Sequence, residues 1–423
     1  MKLAVIGAGI IGITTAYELA ADGHDITVFE RCSAAAEETS FANAGVVAPG
    51  YVTPWAAPGM PGKVFSLLFS RHAPVRISLP LSSSELAWMW RWLQSCKLPT
   101  YLANRARLQR LAFYSRERLH QLTAALQLDY DRSPGYMVLL RTQKDQYLAQ
   151  PGLQVLRDAG VAFSEITPEQ ARRIEPALNP DTSFAGAIYL PDDEVANCRQ
   201  FALLLKNQAQ RLGVKFEFNR TVGHLNKAQP ASISIAGETV PRRFDGVVMC
   251  AGVASARLLE PLGLKIPMVA VYGYSISAPI REPLNAPRSA LMDEHYKVAI
   301  SRLGNRVRVA GSAEIGGSLL SKRAASIQTL YKVLHDWFPG AAQHAGLGAH
   351  VQEWKGARPM LPDGPPIIGH SGTAGVWLNL GHGSSGWALS CGSARVLADL
   401  IAGKSPDIDL EGLDISRLGS WLG

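Results

Sequence analysis

Gly7, Gly9 and Gly12 stand in the spacing GxGxxG, and Glu30 follows them by roughly twenty residues. That combination suits the holding of a dinucleotide. Glycine at 7 allows a tight turn, at 9 it lets bare backbone approach a pyrophosphate, and at 12 it lets a helix pack close to a strand. Ile10 and Ile11 then open a helix whose free N–H groups and positive end face the phosphates. Glu30, with Arg31 beside it, is placed to accept hydrogen bonds from an adenosine ribose, and an acid there favours an unphosphorylated ribose, as in NAD or FAD. The structural alternative is a glycine-rich turn without a ligand.

Further residues point to redox chemistry on a small substrate. Arg358 lies in Gly356-Ala357-Arg358-Pro359-Met360 and offers a fixed cation for a carboxylate; the alternative is that it only braces the prolines after it. Gly381, His382, Gly383, Ser384 and Ser385 form a turn ahead of a helix, whose N–H groups suit the edge of a flavin where negative charge builds up on reduction. His382 reads as a neighbour of that ring rather than a general base. Tyr272 and Tyr274 flank Gly273 on an expected strand; they are expected to turn to opposite faces, so that at most one reaches a pocket and the other is core. Tyr51 and Tyr296 are candidates to close that pocket. No Ser/His/Asp triad and no metal cluster is evident. Oxidising an amine to an imine needs none, because the cofactor takes the hydride and the protein orients the substrate.

The elements that must position these residues are legible. Leu3 to Ile6 reads as a buried parallel strand, Ile13 to Ala20 as a helix stopped by Gly23, and Ile26 to Phe29 as a second strand. Glu38-Thr39-Ser40-Phe41-Ala42-Asn43-Ala44-Gly45, continuing into Val46, is small and hydroxylated enough to pass close to a diphosphate and a flavin ring. Phe244 to Gly252 is another buried strand, ending in Ala251-Gly252 where a cofactor would abut. Near the C-terminus come a strand at Val376 to Leu380, the glycine turn, and a helix from Ala388 to Ala402. The nucleotide domain is therefore completed from the far end of the chain.

With these motifs the chain resembles the D-amino-acid oxidase/sarcosine oxidase superfamily of flavoproteins, and within it the bacterial D-amino-acid dehydrogenase family. The likeness spans nearly the whole length, through TSFANAG, VYGYS at 271–275, DEHYKVAISR at 293–302, GARPMLPDGPPIIG and GHGSSGW. It implies an α/β fold: a Rossmann-like FAD-binding domain from 1–84, 195–266 and 353–423, and an α+β substrate domain with a large antiparallel sheet from 85–194 and 267–352. It implies a backbone contact from Val222 to the adenine. Covalent-flavin relatives carry a cysteine at the place of Gly356, so FAD is expected to be non-covalent. Oxidase relatives carry a lysine at the place of Ala388, which tilts the expectation toward a dehydrogenase that passes electrons to a quinone or other carrier. The substrate implied is a D-amino acid, including a cyclic imino acid such as D-proline or hydroxy-D-proline. An O2-using amino-acid oxidase and an FAD subunit of a larger dehydrogenase complex are the alternatives; a ring-hydroxylating monooxygenase would want an NADPH-facing motif that is not found.

Composition bounds the rest. With 423 residues, 47% hydrophobic and 18% charged, two domains and a sizeable core are possible. The net charge of +7 comes without a long Lys/Arg run, which argues against nucleic acid. Five cysteines with no close pair argue against a disulfide framework or zinc site and fit the cytoplasm. Residues 100–130 read as a long helix whose Arg105, Arg107, Arg110, Arg116 and Arg118 form a solvated face. Asp158 to Pro176 reads as helix, strand and helix, and strands near Gly273–Ser277, Lys297–Ser301 and Val307–Ala310 fit an antiparallel sheet. Three glycines and Glu18 in the first segment argue against a signal peptide, and no run is apolar enough to span a bilayer, so the chain is expected to be soluble or peripheral. Leu86 to Leu93, with three tryptophans and Arg91, is read as a partly buried helix, with contact at the inner face of the cell membrane as the alternative.

Overall fold

The computed structural model describes residues 1–67, 72–226, 231–342 and 351–421. Its first thirty residues form strand Lys2–Ile6, helix Ile10–Ala21 and strand Asp25–Phe29, with the strands parallel and Lys2 opposite Asp25. Leu3, Ala4 and Val5 are fully buried, as a strand flanked on both sides requires. The turn into the helix depends on glycine. Gly7 has φ 103°, and a Cβ on Gly12 would overlap the Gly7 carbonyl.

Strand Gly246–Met249 pairs on the other side of Lys2–Ile6, followed by Val376–Leu380 and Ile367–His370, while Lys215–Glu217 closes the opposite edge. Only the Ile367–His370 pairing is antiparallel. Helices Ile10–Ala21, Leu98–Ala125, Cys198–Arg211 and Gly386–Ile401 bury their apolar sides on one face of this six-stranded sheet. A small antiparallel sheet, Val222–Leu225, Ser232–Ile235 and Arg242–Arg243, packs on the other.

The long helix Leu98–Ala125 corrects the expectation of a solvated basic face. Arg105 is buried, Arg107 pairs with Glu411, Arg110 with Asp409 and Arg116 with Asp193. Arg118 grips Glu18 at 2.7 and 2.8 Å, and Arg395 reaches the same carboxylate at 2.8 Å, so two guanidiniums tie three helices around one fully buried acid. The partner acids lie on other segments, which is why the helix's own composition does not reveal them.

The second sheet has ten strands, in the path Gln352–Met360, Val269–Pro279, Arg306–Ile315, Val298–Leu303, Ala290–Asp293, Arg132–Leu140, Gly186–Ala196 and Val46–Val47, with Val75–Ile77 and Ser164–Ile166 attached at its sides. It is mixed rather than wholly antiparallel: Ala290–Asp293 runs parallel to Arg132–Leu140, and Val75–Ile77 to Arg306–Ile315. Helix Ala324–Trp337 covers part of one face. The helix before strand Ser164–Ile166 is Gln143–Asp158, which ends at Asp158 instead of starting there; Thr167 then caps Pro168–Ile174 through Gln170. In the Trp-rich helix Ser83–Ser95, Trp88 is buried and Trp90 is 63% exposed. No helix among the described residues is long and apolar enough to cross a membrane.

Candidate active site

A cavity of about 640 Å³ runs between the two sheets. At one end it is lined by Gly7, Gly9, Ile10, Ile11, Glu30 and Arg31, with Val222, Ala251 and Gly252 beside them. Gly12 lies behind this surface, where it serves the packing of helix on strand. Glu30 Oε2 accepts from the Ala8 N–H at 2.7 Å and Oε1 from the Cys32 N–H at 2.9 Å, which fixes the carboxylate at the cavity edge. Arg31 pairs with Glu38.

Thr39, Ser40, Asn43, Ala44, Gly45 and Val46 line the next stretch. Ser40 Oγ accepts from the Ile10 N–H at 3.0 Å, which seats this segment on the N-terminus of the first helix. Thr39 Oγ1 donates to the Ala357 carbonyl at 2.6 Å, and Ser301 Oγ donates to that of Ala44 at 2.7 Å, so the segment is also tied to the large sheet.

The glycine turn Gly381 to Ser385 lines the cavity and runs into helix Gly386–Ile401, whose first turn has no side-chain cap. His382 is buried, with Nε2 at 3.1 Å from Ser393 Oγ. Burial pushes its pKa down to about 3, which leaves the ring neutral and a poor proton acceptor. Ala388 borders the cavity in the same helix.

At the other end lies Arg358. Its Nη1 donates to the Ser312 carbonyl at 2.9 Å, and its guanidinium is 5.9 Å from the Trp55 ring centroid. Burial pushes its pKa down to about 10, with no nearby charge acting against that shift. A desolvated cation without a counterion is costly unless a ligand supplies one.

The tyrosines divide. Tyr51 lines the cavity, meets Tyr136 edge to face and donates to Glu294 Oε2 at 2.6 Å. Tyr272 and Tyr274 do not take opposite faces: Lys355 Nζ lies 4.5 Å from one ring centroid and 5.2 Å from the other. Residues two apart on a strand share a side, which the sequence expectation overlooked. Tyr274 borders the cavity but its hydroxyl is committed to Glu314, and Tyr272 is not among the lining residues. Tyr296 is also absent from the lining; it packs against His295, Arg141 and Lys332. Sequence reasoning missed Trp55, Tyr101, Tyr136 and Trp354, which do line the cavity. Trp354 had a readable signal, since it alternates with Gly356 and Arg358 on one strand.

Residues 2–400 match the family model described as FAD dependent oxidoreductase. The chain belongs to that family. It is 41% identical, over the full length of both chains, to a D-amino acid dehydrogenase of Bradyrhizobium diazoefficiens. Among solved structures, glycine oxidase from Geobacillus kaustophilus superimposes with a TM-score of 0.73 at 22% identity, covering 98% of each chain. L-proline dehydrogenase from P. horikoshii gives 0.72 at 16% identity, covering 99% of this chain and 98% of that one. Such distant likenesses share the fold, and they agree with the expected pairing of a nucleotide sheet with a large second sheet. As a member of the family the chain is an FAD-dependent oxidoreductase.

The residues present fit FAD. Bare backbone at Gly7 and Gly9, the fixed Glu30 carboxylate and the uncapped turn at Gly383–Ser385 border one continuous cavity that ends at Arg358.

Proposed function

We propose that this protein dehydrogenates the Cα–N bond of a D-amino acid and hands the electrons to a quinone or another carrier rather than to O2. The observation that carries the reading is Arg358, a half-buried guanidinium without a carboxylate partner among the described residues, at the end of the cavity that would hold FAD. Gly7, Gly9 and Glu30 would hold the adenosine diphosphate end, Val222 the adenine, and the turn at Gly381–Ser385 the far edge of the ring. Bound there without a covalent link, FAD supplies the two-electron acceptor for the Cα hydride.

The chain's own residues bind and orient the substrate. Arg358 takes the substrate carboxylate in a charge-assisted pair, which also relieves its own desolvation. Tyr51, Trp55, Tyr101 and Trp354 wall off water. The amine enters unprotonated, so that nitrogen's lone pair drives hydride loss and no side chain has to act as a strong base; His382, neutral and held by Ser393, stays beside the ring. Ala388 brings no cation to the cavity, which supports a carrier other than O2. The imine then takes up water to give the 2-oxo acid and ammonia.

Anaerobic mixing of the purified holoenzyme with a panel of D- and L-amino acids, D-proline included, tests this. Flavin colour should bleach with D-amino acids and stay with their L-enantiomers. Bleaching by L-enantiomers alone, or by none of the panel, overturns the reading.

A further inference from the structure

Ten buried polar side-chain atoms find no hydrogen-bond partner among the described residues, and three of them lie at one corner of the large sheet: Arg308 Nε, Arg199 Nε and Ser275 Oγ. Ser277 stands opposite Arg308 in the ladder and Ser275 opposite Ala310, so both serines share a face with Arg308. Asn43 and Ala44 rest on that face. Arg308 Nη1 donates to the Asn43 carbonyl at 3.2 Å, and Ser301, opposite Arg308 on its other side, donates to that of Ala44. Arg199 arrives from another element, as the second residue of helix Cys198–Arg211, and lies over the Phe41 ring at 4.2 Å.

The corner is cationic. Arg308 feels the Arg306 and Arg199 guanidiniums and the Cys198 thiol, and no carboxylate among the described residues acts on it. Burial pushes its pKa down to about 10, and the two neighbouring guanidiniums push the same way. Arg306 is spent on Ser277, through Nε to the hydroxyl at 3.2 Å and Nη2 to the carbonyl at 2.6 Å. With Nη1 on Asn43, Arg308 keeps its Nε–Nη2 edge as a free fork. The positive end of helix Cys198–Arg211 meets the same corner, because Cys198 and Arg199 begin it.

Elsewhere this chain answers such a concentration of charge with its own acids. Arg118 and Arg395 share Glu18, and Arg141 sits between Asp293 and Asp336. Arg308 and Arg199 are both half-buried, yet neither is given a carboxylate among the described residues. Donors turned inward without acceptors are costly, and so is uncompensated charge, unless a ligand answers both.

We propose that this corner binds a tetrahedral oxyanion, inorganic phosphate or the phosphoryl group of a small metabolite, held by the Arg308 fork, the Arg199 Nε–H and the Ser275 hydroxyl. A carboxylate is planar and carries one charge, and the Arg308 fork alone would occupy both its oxygens. Donors arriving from a helix and from a second strand call for further oxygens in other directions, and two uncompensated guanidiniums call for a dianion. The site is distinct from the one that takes FAD and amino acid: Arg199, Ser275 and Arg308 are not among the residues lining the large cavity. It abuts that cavity, however, since Asn43, Ala44, Ala310 and Trp354 do line it, and Trp354 stands opposite Ser275. A bound anion would fix Arg308 and, through the Asn43 carbonyl, the segment along which the cofactor lies. The binding itself does not rest on the dehydrogenase reading.

Calorimetric titration of the holoenzyme with inorganic phosphate tests the proposal, at an ionic strength held constant with sodium chloride. One saturable site per chain is expected. It should persist in Arg358→Met, which separates it from the carboxylate site, and phosphate should slow the release of FAD from wild type on dilution, followed by flavin fluorescence. Arg308→Gln should weaken phosphate binding at least about 30-fold, the scale of losing one partner of a desolvated charge pair. Arg199→Gln and Ser275→Ala should each weaken it about tenfold, the scale of one hydrogen bond to a charged group. Arg199→Gln takes away no ion pair described in the fold, and so keeps the test open should Arg308→Gln fold poorly. Glycerol 3-phosphate separates the two sources: an ester that binds more tightly than phosphate assigns the site to a phosphorylated metabolite, and one that binds no better assigns it to the free ion. Heat that never saturates, binding lost in Arg358→Met, or an Arg199→Gln variant that binds phosphate as wild type does overturns the proposal and leaves water as the partner of these donors.

Discussion

Gly273 and Gly356 stand opposite each other in the ladder between strands Val269–Pro279 and Gln352–Met360, and Arg358 and Trp354 occupy the spaces their missing side chains leave. A Cβ on Gly273 would overlap the Arg358 guanidinium, and one on Gly356 would overlap the Trp354 indole. The two glycines make a bare floor on which cation and ring are laid. Gly273→Ala should therefore misplace the guanidinium without touching the nucleotide end, raising KM for the amino acid at least about tenfold, the scale of a small displacement at a charge-assisted pair. Arg358→Met should be more severe, at roughly 30- to 4,000-fold in kcat/KM, since a desolvated pair is worth on the order of 2–5 kcal/mol. FAD content should be unchanged in both; steady-state kinetics with flavin absorbance is the check. Unchanged kinetics in Arg358→Met would move the carboxylate site elsewhere.

His382 gives a pH dependence of stability. Its pKa in the fold is about 3 because it is buried, against ~6.5 for a free histidine. The unfolded chain takes up a proton that the fold refuses, so stability is full above ~6.5 and is lost as pH falls toward 3, at up to ~1.4 kcal/mol per pH unit. His382→Gln, which does not titrate, should flatten the fall of the urea midpoint between pH 6.5 and pH 4. Parallel curves for the two proteins would refute the buried neutral ring.

Acid precipitation should leave FAD in the supernatant. Gly356 offers no sulfur, and the Trp354 ring lies over it. Flavin retained in the pellet, or FMN in the supernatant, would contradict this.

The reduced enzyme should reoxidise slowly in air and quickly with a quinone analogue, because Ala388 places no cation where superoxide would form. Ala388→Lys should raise the oxygen rate. Stopped-flow recovery of flavin absorbance decides it; wild-type recovery as fast with oxygen as with quinone would make this an oxidase.

Arg118→Ala should cost stability far from the cavity. It leaves Glu18 buried with Arg395 alone, and breaking such a pair costs about 3 kcal/mol. A lower melting temperature with turnover per flavin unchanged is expected; an unchanged melt would show that Arg395 suffices.

The parts legible in the sequence are those whose signal is local. The glycine turn, its flanking strands and Glu30 lie within thirty residues, and the motif's spacing with two short apolar runs places them. Tyr272 and Tyr274 were misread by neglect of strand alternation, an error of geometry rather than of missing information. Tyr101 and Tyr136 could not be found in this way, because they reach the cavity from a helix and a strand that meet only through packing. Arg118 looks like surface for the same reason: Glu18, its partner, sits in a helix of small and apolar residues where a lone acid reads as exposed.

The nucleotide sheet is assembled across the length of the polypeptide. Leu3 lies beside Gly246, and Val247 beside Val376, while the turn at Gly381–Ser385 comes later still. During synthesis the unit from Lys2 to Phe29 emerges before the strands that flank it, and the sheet waits until Val376–Leu380 has been made. Its apolar strand must be shielded meanwhile, because such long-range pairing is slow and exposes surface prone to association. Cofactor loading then has to wait for the segment from Val376 to Ser385, and a nascent chain stalled before Val376 can have neither a closed sheet nor a yellow colour.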